Sequence, residues 1–94
     1  MIIGACKLHL YLPGVASLKE KRSIVKPLLN QLRRRFEVAA AEVDHQDVWQ
    51  TADIAIVAVA TESGHIYAVL ERALHWVEDN YFQVQVIDWE TELR

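Results

Sequence analysis

The chain has very little of what several large protein classes require. It has one cysteine in 94 residues, Cys6, so no disulfide framework is open to it. No stretch reaches the ~20 apolar residues that cross a bilayer. Glycine-rich phosphate loops of the P-loop and dinucleotide-binding kinds are absent, as are Gly-x-Ser-x-Gly and Cys-x-x-Cys. Those absences exclude the common nucleotide-binding and hydrolase signatures and the ferredoxin-like metal chaperones. No basic turn after the first apolar segment resembles the phosphate loop of acylphosphatases. There is no low-complexity segment, linker or repeat at solenoid spacing. Acid is nearly missing from the first third: residues 1–35 hold eight of the ten Lys and Arg and a single acid, Glu20.

What is present is apolar enough for a core, at 52%. The length suits one domain, residues 1–94. The net charge of −3 conceals +7 over residues 1–35 and −10 over residues 36–94, a statement about electric field and not about fold. Residues 1–12 alternate and carry Lys7 and His9, whereas a secretory leader puts its charge first and an unbroken apolar run after it. A cytoplasmic protein is expected. Cys6 lies in the apolar set, as a small buried hydrophobe does.

Alternation predicts a half-buried strand over residues 2–12, with Ile2, Cys6, Leu8, Leu10 and Leu12 on one face and Ile3, Ala5, Lys7, His9 and Tyr11 on the other. Ser17-Leu18-Lys19-Glu20 has the form of a capping box and opens a helix. Its apolar stripe runs from Leu18 through Ile24, Val25, Leu28, Leu29 and Leu32 to Phe36, and Pro27 falls opposite, where a carbonyl without its partner can meet water. A short alanine-rich strand is predicted at 37–44 and a strand apolar on both faces at 53–61. A second helix runs from Ser63 and Gly64 to Asn80, with His75 facing out. A last strand is predicted at 82–91, with Phe82, Val84 and Val86 on one side and Gln83, Gln85, Ile87 and Trp89 on the other. The order β-α-β-β-α-β predicts an α+β, two-layer, ferredoxin-like sandwich with an antiparallel sheet in the order 4-1-3-2. One sheet face is then without helices.

Two surfaces are candidate sites. The first helix carries Lys19, Lys21, Arg22, Lys26, Arg33, Arg34 and Arg35. At 100° per residue, Lys19, Arg22, Lys26 and Arg33 fall within about 60° of one another. Such a flank, about 20 Å long, suits the phosphates of structured RNA. The alternative is a solvated face paired with acids elsewhere. The bare sheet face lacks the aromatics of an RNA-stacking platform. Ala55, Val57 and Val59 would instead make an exposed apolar patch suited to a protein partner, such as a second copy of the chain, and Trp49 either covers a sheet edge or anchors an interaction. Asp44-His45-Gln46-Asp47 could form a metal or acid–base cluster, but turn chemistry accounts for the same residues. His9, His65 and His75 stand at no metal-ligand spacing, so neither metal, cofactor nor catalytic residue is expected.

Met1-Ile2-Ile3-Gly4, Ser17-Leu18-Lys19-Glu20-Lys21-Arg22 and Ala41-Glu42-Val43-Asp44-His45-Gln46-Asp47 with Trp49-Gln50 resemble the YlxP-like family of small bacterial proteins, over nearly the whole chain. The resemblance implies a ferredoxin-like fold and no catalytic role. Members of that family are often encoded beside translation initiation factor two and ribosome-binding factor A. This implies a place near ribosome maturation or translation, with a ribosomal subunit as partner.

Overall fold

In a computed structural model describing all of residues 1–94, the elements are β1 (Ile2–Tyr11), α1 (Leu18–Phe36), β2 (Ala39–Asp44), β3 (Thr51–Ala60), α2 (Ser63–Asn80) and β4 (Gln85–Leu93). All neighbouring strands are antiparallel, in the order β2-β3-β1-β4. This is the predicted ferredoxin-like arrangement read from the other edge. Neither helix is long and apolar enough to cross a membrane.

Helix α1 starts as its capping box dictates. The Ser17 hydroxyl accepts from the Glu20 amide at 3.1 Å. The Glu20 carboxylate reaches back to the amide of Ala16, one residue further than the motif predicts. The helix continues through Pro27, which is exposed as its position opposite the stripe requires. It ends on Glu37, held in the left-handed region at φ 53° and ψ 46°. That backbone conformation is why β2 begins at Ala39 and not at residue 37, as the sequence led us to expect.

The core lies between the helices and one sheet face. Cys6, Leu8 and Leu10 of β1 and Ala52, Ile54 and Ile56 of β3 bury against the stripes of α1 and α2. At Gly4 a Cβ would overlap the Ile66 side chain of α2, so only glycine permits this approach of helix to strand. Burial raises the Cys6 thiol above its ordinary range, against a smaller lowering by its hydrogen bond to Thr91. It packs as a small hydrophobe.

Strand β3 is central in the sheet, and its two apolar faces are buried unequally. Its helix face is closed, whereas Ala55 and Val57 are half-buried on the open face and Val59 is 63% exposed. The last strand begins at Gln85, because the Val84 amide closes a turn on Tyr81 at 3.3 Å and leaves Phe82 in solvent. The register against β1 also slips between His9 and Leu10, whose partners are Asp88 and Val86. Ile87 is the extra residue of a β-bulge, and one extra residue inverts alternation beyond it. Trp89, paired with Leu8, therefore shares the helix side with Val86, while Asp88 and Glu90 join the open face beside His9 and Lys7.

Candidate functional site

The cations of α1 divide into one that is buried and six that are exposed. None of Lys19, Arg22, Lys26, Arg34 and Arg35 forms an ion pair or a hydrogen bond with a carboxylate; nor does Arg33. Arg22, Lys26 and Arg33 line one groove between α1 and β2, together with Asn30 and Glu42. Arg33 is held in place: its guanidinium donates twice to the Ala40 carbonyl, at 3.1 and 2.6 Å, and once to Asn30 at 2.8 Å. Arg35 lies over the Trp76 ring, 5.0 Å from its centroid, a cation–π contact that leaves the charge at the surface. Three of the four flank residues thus share one groove, and Arg34 lines another with Gln31 and Arg35.

Lys21 does not belong to that flank. It is 1% exposed, and its ammonium donates to the carbonyls of His45 at 2.6 Å and Val48 at 2.7 Å. The Glu42 carboxylate lies 2.8 Å away as an ion pair, off the ideal hydrogen-bond direction. Counting Lys21 among the nucleic-acid contacts is therefore corrected. A buried ammonium is tolerated only where charge and acceptors surround it, and here the β2–β3 connection supplies them.

That connection carries His45, whose φ of 61° is in the left-handed region, uncommon for a residue with a side chain. The Asp44 carboxylate accepts from the His45 amide at 2.8 Å, so the turn reading of Asp44 holds. Asp47 is exposed. The imidazole of His45 turns away from both and places Nδ1 3.1 Å from Oδ2 of Asp53. On the other carboxylate oxygen sits Nδ1 of His9, the residue paired with Asp53 across β1 and β3. Lys7 brings its ammonium to 3.7 Å from Oδ2. Asp53 itself is 4% exposed. Burial pushes its carboxyl up, but the hydrogen bond from His9 and the charges of His9, His45 and Lys7 outweigh burial and hold it below its ordinary 3.8.

The sequence signals for this cluster were split. Lys7 and His9 lie two apart on the outer face of β1, and Asp53 opens an apolar strand. Only the register brings them together. The other candidate surface lies on the open face of the sheet. Ala39 and Ala41 of β2 pair with Val57 and Ala55, extending the open apolar face. Trp49, half-exposed, lies in the connection before β3 and not on the strand that carries Ala55, Val57 and Val59.

A sequence model described as "Protein of unknown function (DUF503)" matches residues 3–91. The chain is 30% identical over 77 residues to "Uncharacterized protein YlxP" of Bacillus subtilis (strain 168), covering 82% of this chain and 84% of that one. Among solved structures, "De novo designed protein Foldit4" superposes with a TM-score of 0.54 at 11% identity, over 100% of this chain and 97% of that one, which is a likeness of fold alone.

Two substitutions probe the site. Lys21→Met leaves Glu42 without its partner and the Val48 carbonyl without its donor, while the His45 carbonyl keeps the Val48 amide at 3.1 Å. It is expected to cost about 3 kcal/mol, the low end for a broken buried pair because Glu42 keeps some water. Urea unfolding measures it, and an unchanged midpoint contradicts the clamp. Asp53→Asn is expected to cost about 1.5–3 kcal/mol at neutral pH. A lowered carboxyl stabilises the fold fully above its unfolded value of 3.8 and loses that contribution as pH falls through the lowered one. The gap between wild type and Asp53→Asn should therefore be present at pH 5, about one unit above that value, and close as pH falls further. A gap that widens in acid would contradict the assignment.

Proposed function

The chain belongs to the family of proteins of unknown function DUF503, and we propose that it is a non-enzymatic binding protein that contacts structured RNA, ribosomal RNA foremost, in ribosome maturation or translation. The carrying observation is the set of exposed α1 cations that have no carboxylate partner in the fold. Lys19, Arg22, Lys26 and Arg34 are the contacts, and Arg33 and Arg35 add charge from anchored positions. Phosphate contacts of this kind read shape more than sequence, and their strength falls with salt because counterions are released. The reading places the protein in the cytoplasm. The acidic residues of β4, Asp88, Glu90 and Glu92, sit on the strand at the far edge of the sheet from β2, which α1 covers, and Glu42, the one acid in the groove of the flank, pairs with Lys21.

A second reading makes the chain a homodimeric interaction module with no nucleic-acid role. It is favoured by the continuous apolar surface of Ala55, Val57 and Val59 with Ala39 and Ala41.

A titration of purified ribosomal subunits or a structured ribosomal RNA fragment separates the two. Binding at low salt is expected, with a salt slope that falls by about one unit for each phosphate contact removed in Arg22→Glu, Lys26→Glu and Arg34→Glu. These three leave the Arg33 anchor intact. No binding at low salt, or binding indifferent to the triple reversal, sinks the RNA reading. Light scattering at high concentration and low salt decides the dimer: a monomer rules it out, and a dimer dissociated by Val59→Asp supports it.

A further inference from the structure

We propose that His9, His45 and Asp53 form a binding site for one divalent transition-metal ion on the open face of the sheet. Each of the three offers a ligand atom, and these atoms lie within 4.8 Å of one another. The residues come from three places in the chain: His9 from β1, His45 from the β2–β3 connection and Asp53 from β3.

The arrangement is built and not a chance meeting of flexible side chains. Asp53 is paired with His9 by strand register. His45 is held by its unusual backbone, by the Asp44 carboxylate on its amide and by the buried Lys21 ammonium on its carbonyl. Backbone held in a sparsely populated region at a cluster of chemically active side chains is where function is sought. The carboxylate of Asp53 is almost fully buried yet has an imidazole nitrogen on each oxygen, and one ammonium 3.7 Å away.

The chemistry of exchange is simple. An ionised carboxylate only accepts, so each Nδ1 now carries the hydrogen. A neutral imidazole can carry its proton on Nε2 instead, which frees the Nδ1 lone pair for a metal. An ion bonded at about 2.0–2.2 Å to each donor then replaces the two hydrogen bonds to Asp53. His9 and His45 remain partly exposed, and a groove of about 330 Å³ lined by His9, Asp53, Asp88 and Glu90 gives the ion room for water ligands. Two imidazoles and one carboxylate suit zinc, cobalt or nickel, and not magnesium or calcium, which prefer oxygen alone. Lys7 is the natural competitor: its ammonium is close to the same carboxylate but is 44% exposed and can swing into water.

The test uses the full chain, freed of metal with a chelator, and cobalt(II) or zinc(II) chloride as the probe. Cobalt(II) visible absorption and titration calorimetry read stoichiometry and affinity. One equivalent is expected, with ligand-field bands of a site of low coordination number. His9→Gln and His45→Gln should each weaken binding by more than about tenfold, since even outer-shell changes reach that size. Lys7→Gln should tighten it, and His65→Gln with His75→Gln should leave it unchanged. The two histidines are half-exposed, so their replacement tests the site even if Asp53→Asn impairs folding. Magnesium should not compete. Absence of a stoichiometric site, or binding that survives His9→Gln and His45→Gln together, overturns the proposal. These readouts do not depend on RNA, so the two readings stand or fall separately.

Discussion

A single buried ammonium ties the two layers of this protein together. Lys21 leaves α1 pointing inward and meets two carbonyls of the β2–β3 connection and a carboxylate of β2. Desolvating a lysine is expensive unless several acceptors converge on it, so the connection is obliged to keep the shape that supplies them. Most of what is distinctive about the sheet's polar end follows. His45 is held in a left-handed conformation with its carbonyl toward the helix and its imidazole toward Asp53. The polar loop thereby acts as a rigid bridge between a helix on one face of the sheet and a charged cluster on the other.

The architecture was largely legible in the residues. Two helical stripes, a capping box and four apolar segments lead to the observed order and sheet topology, because each depends on local periodicity. Strand ends were less legible where backbone conformation decided them. Glu37 looks like a strand residue and is a left-handed helix cap. Ile87 looks like one more step of alternation and is a bulge that inverts it. The charged residues divided on the same principle. Helical angle places Lys19, Arg22, Lys26 and Arg33 together without any knowledge of tertiary packing. It cannot tell that Lys21 will find three acceptors from a distant loop. His9, His45 and Asp53 are separated by up to 44 residues, and only pairing of β1 with β3 reveals them as neighbours.

The open sheet face carries two unlike environments. Toward Val59 it is small and apolar, and toward Asp53 it is charged and hydrogen-bonded. Exposed edges at β2 and β4 differ in the same sense. Strand β2 begins with three alanines and keeps its acids, Glu42 and Asp44, at its end, whereas β4 spaces Asp88, Glu90 and Glu92 along its length, and edge charges of that kind discourage strand-to-strand association. A second chain would thus find the β2 side of the sheet more receptive than the β4 side.

The segregation of charge also gives the molecule a permanent dipole moment. Its positive end lies along α1, and the twelve acids of residues 36–94 give the rest of the chain the opposite sign, with a net charge of only −3 overall. At long range a polyanion meets a weakly repelled particle. Inside a Debye length of about 8 Å at physiological ionic strength, the local field takes over and exerts a torque that turns α1 forward. Orientation would then precede contact, and the surface presented first would be chosen before any side chain touched.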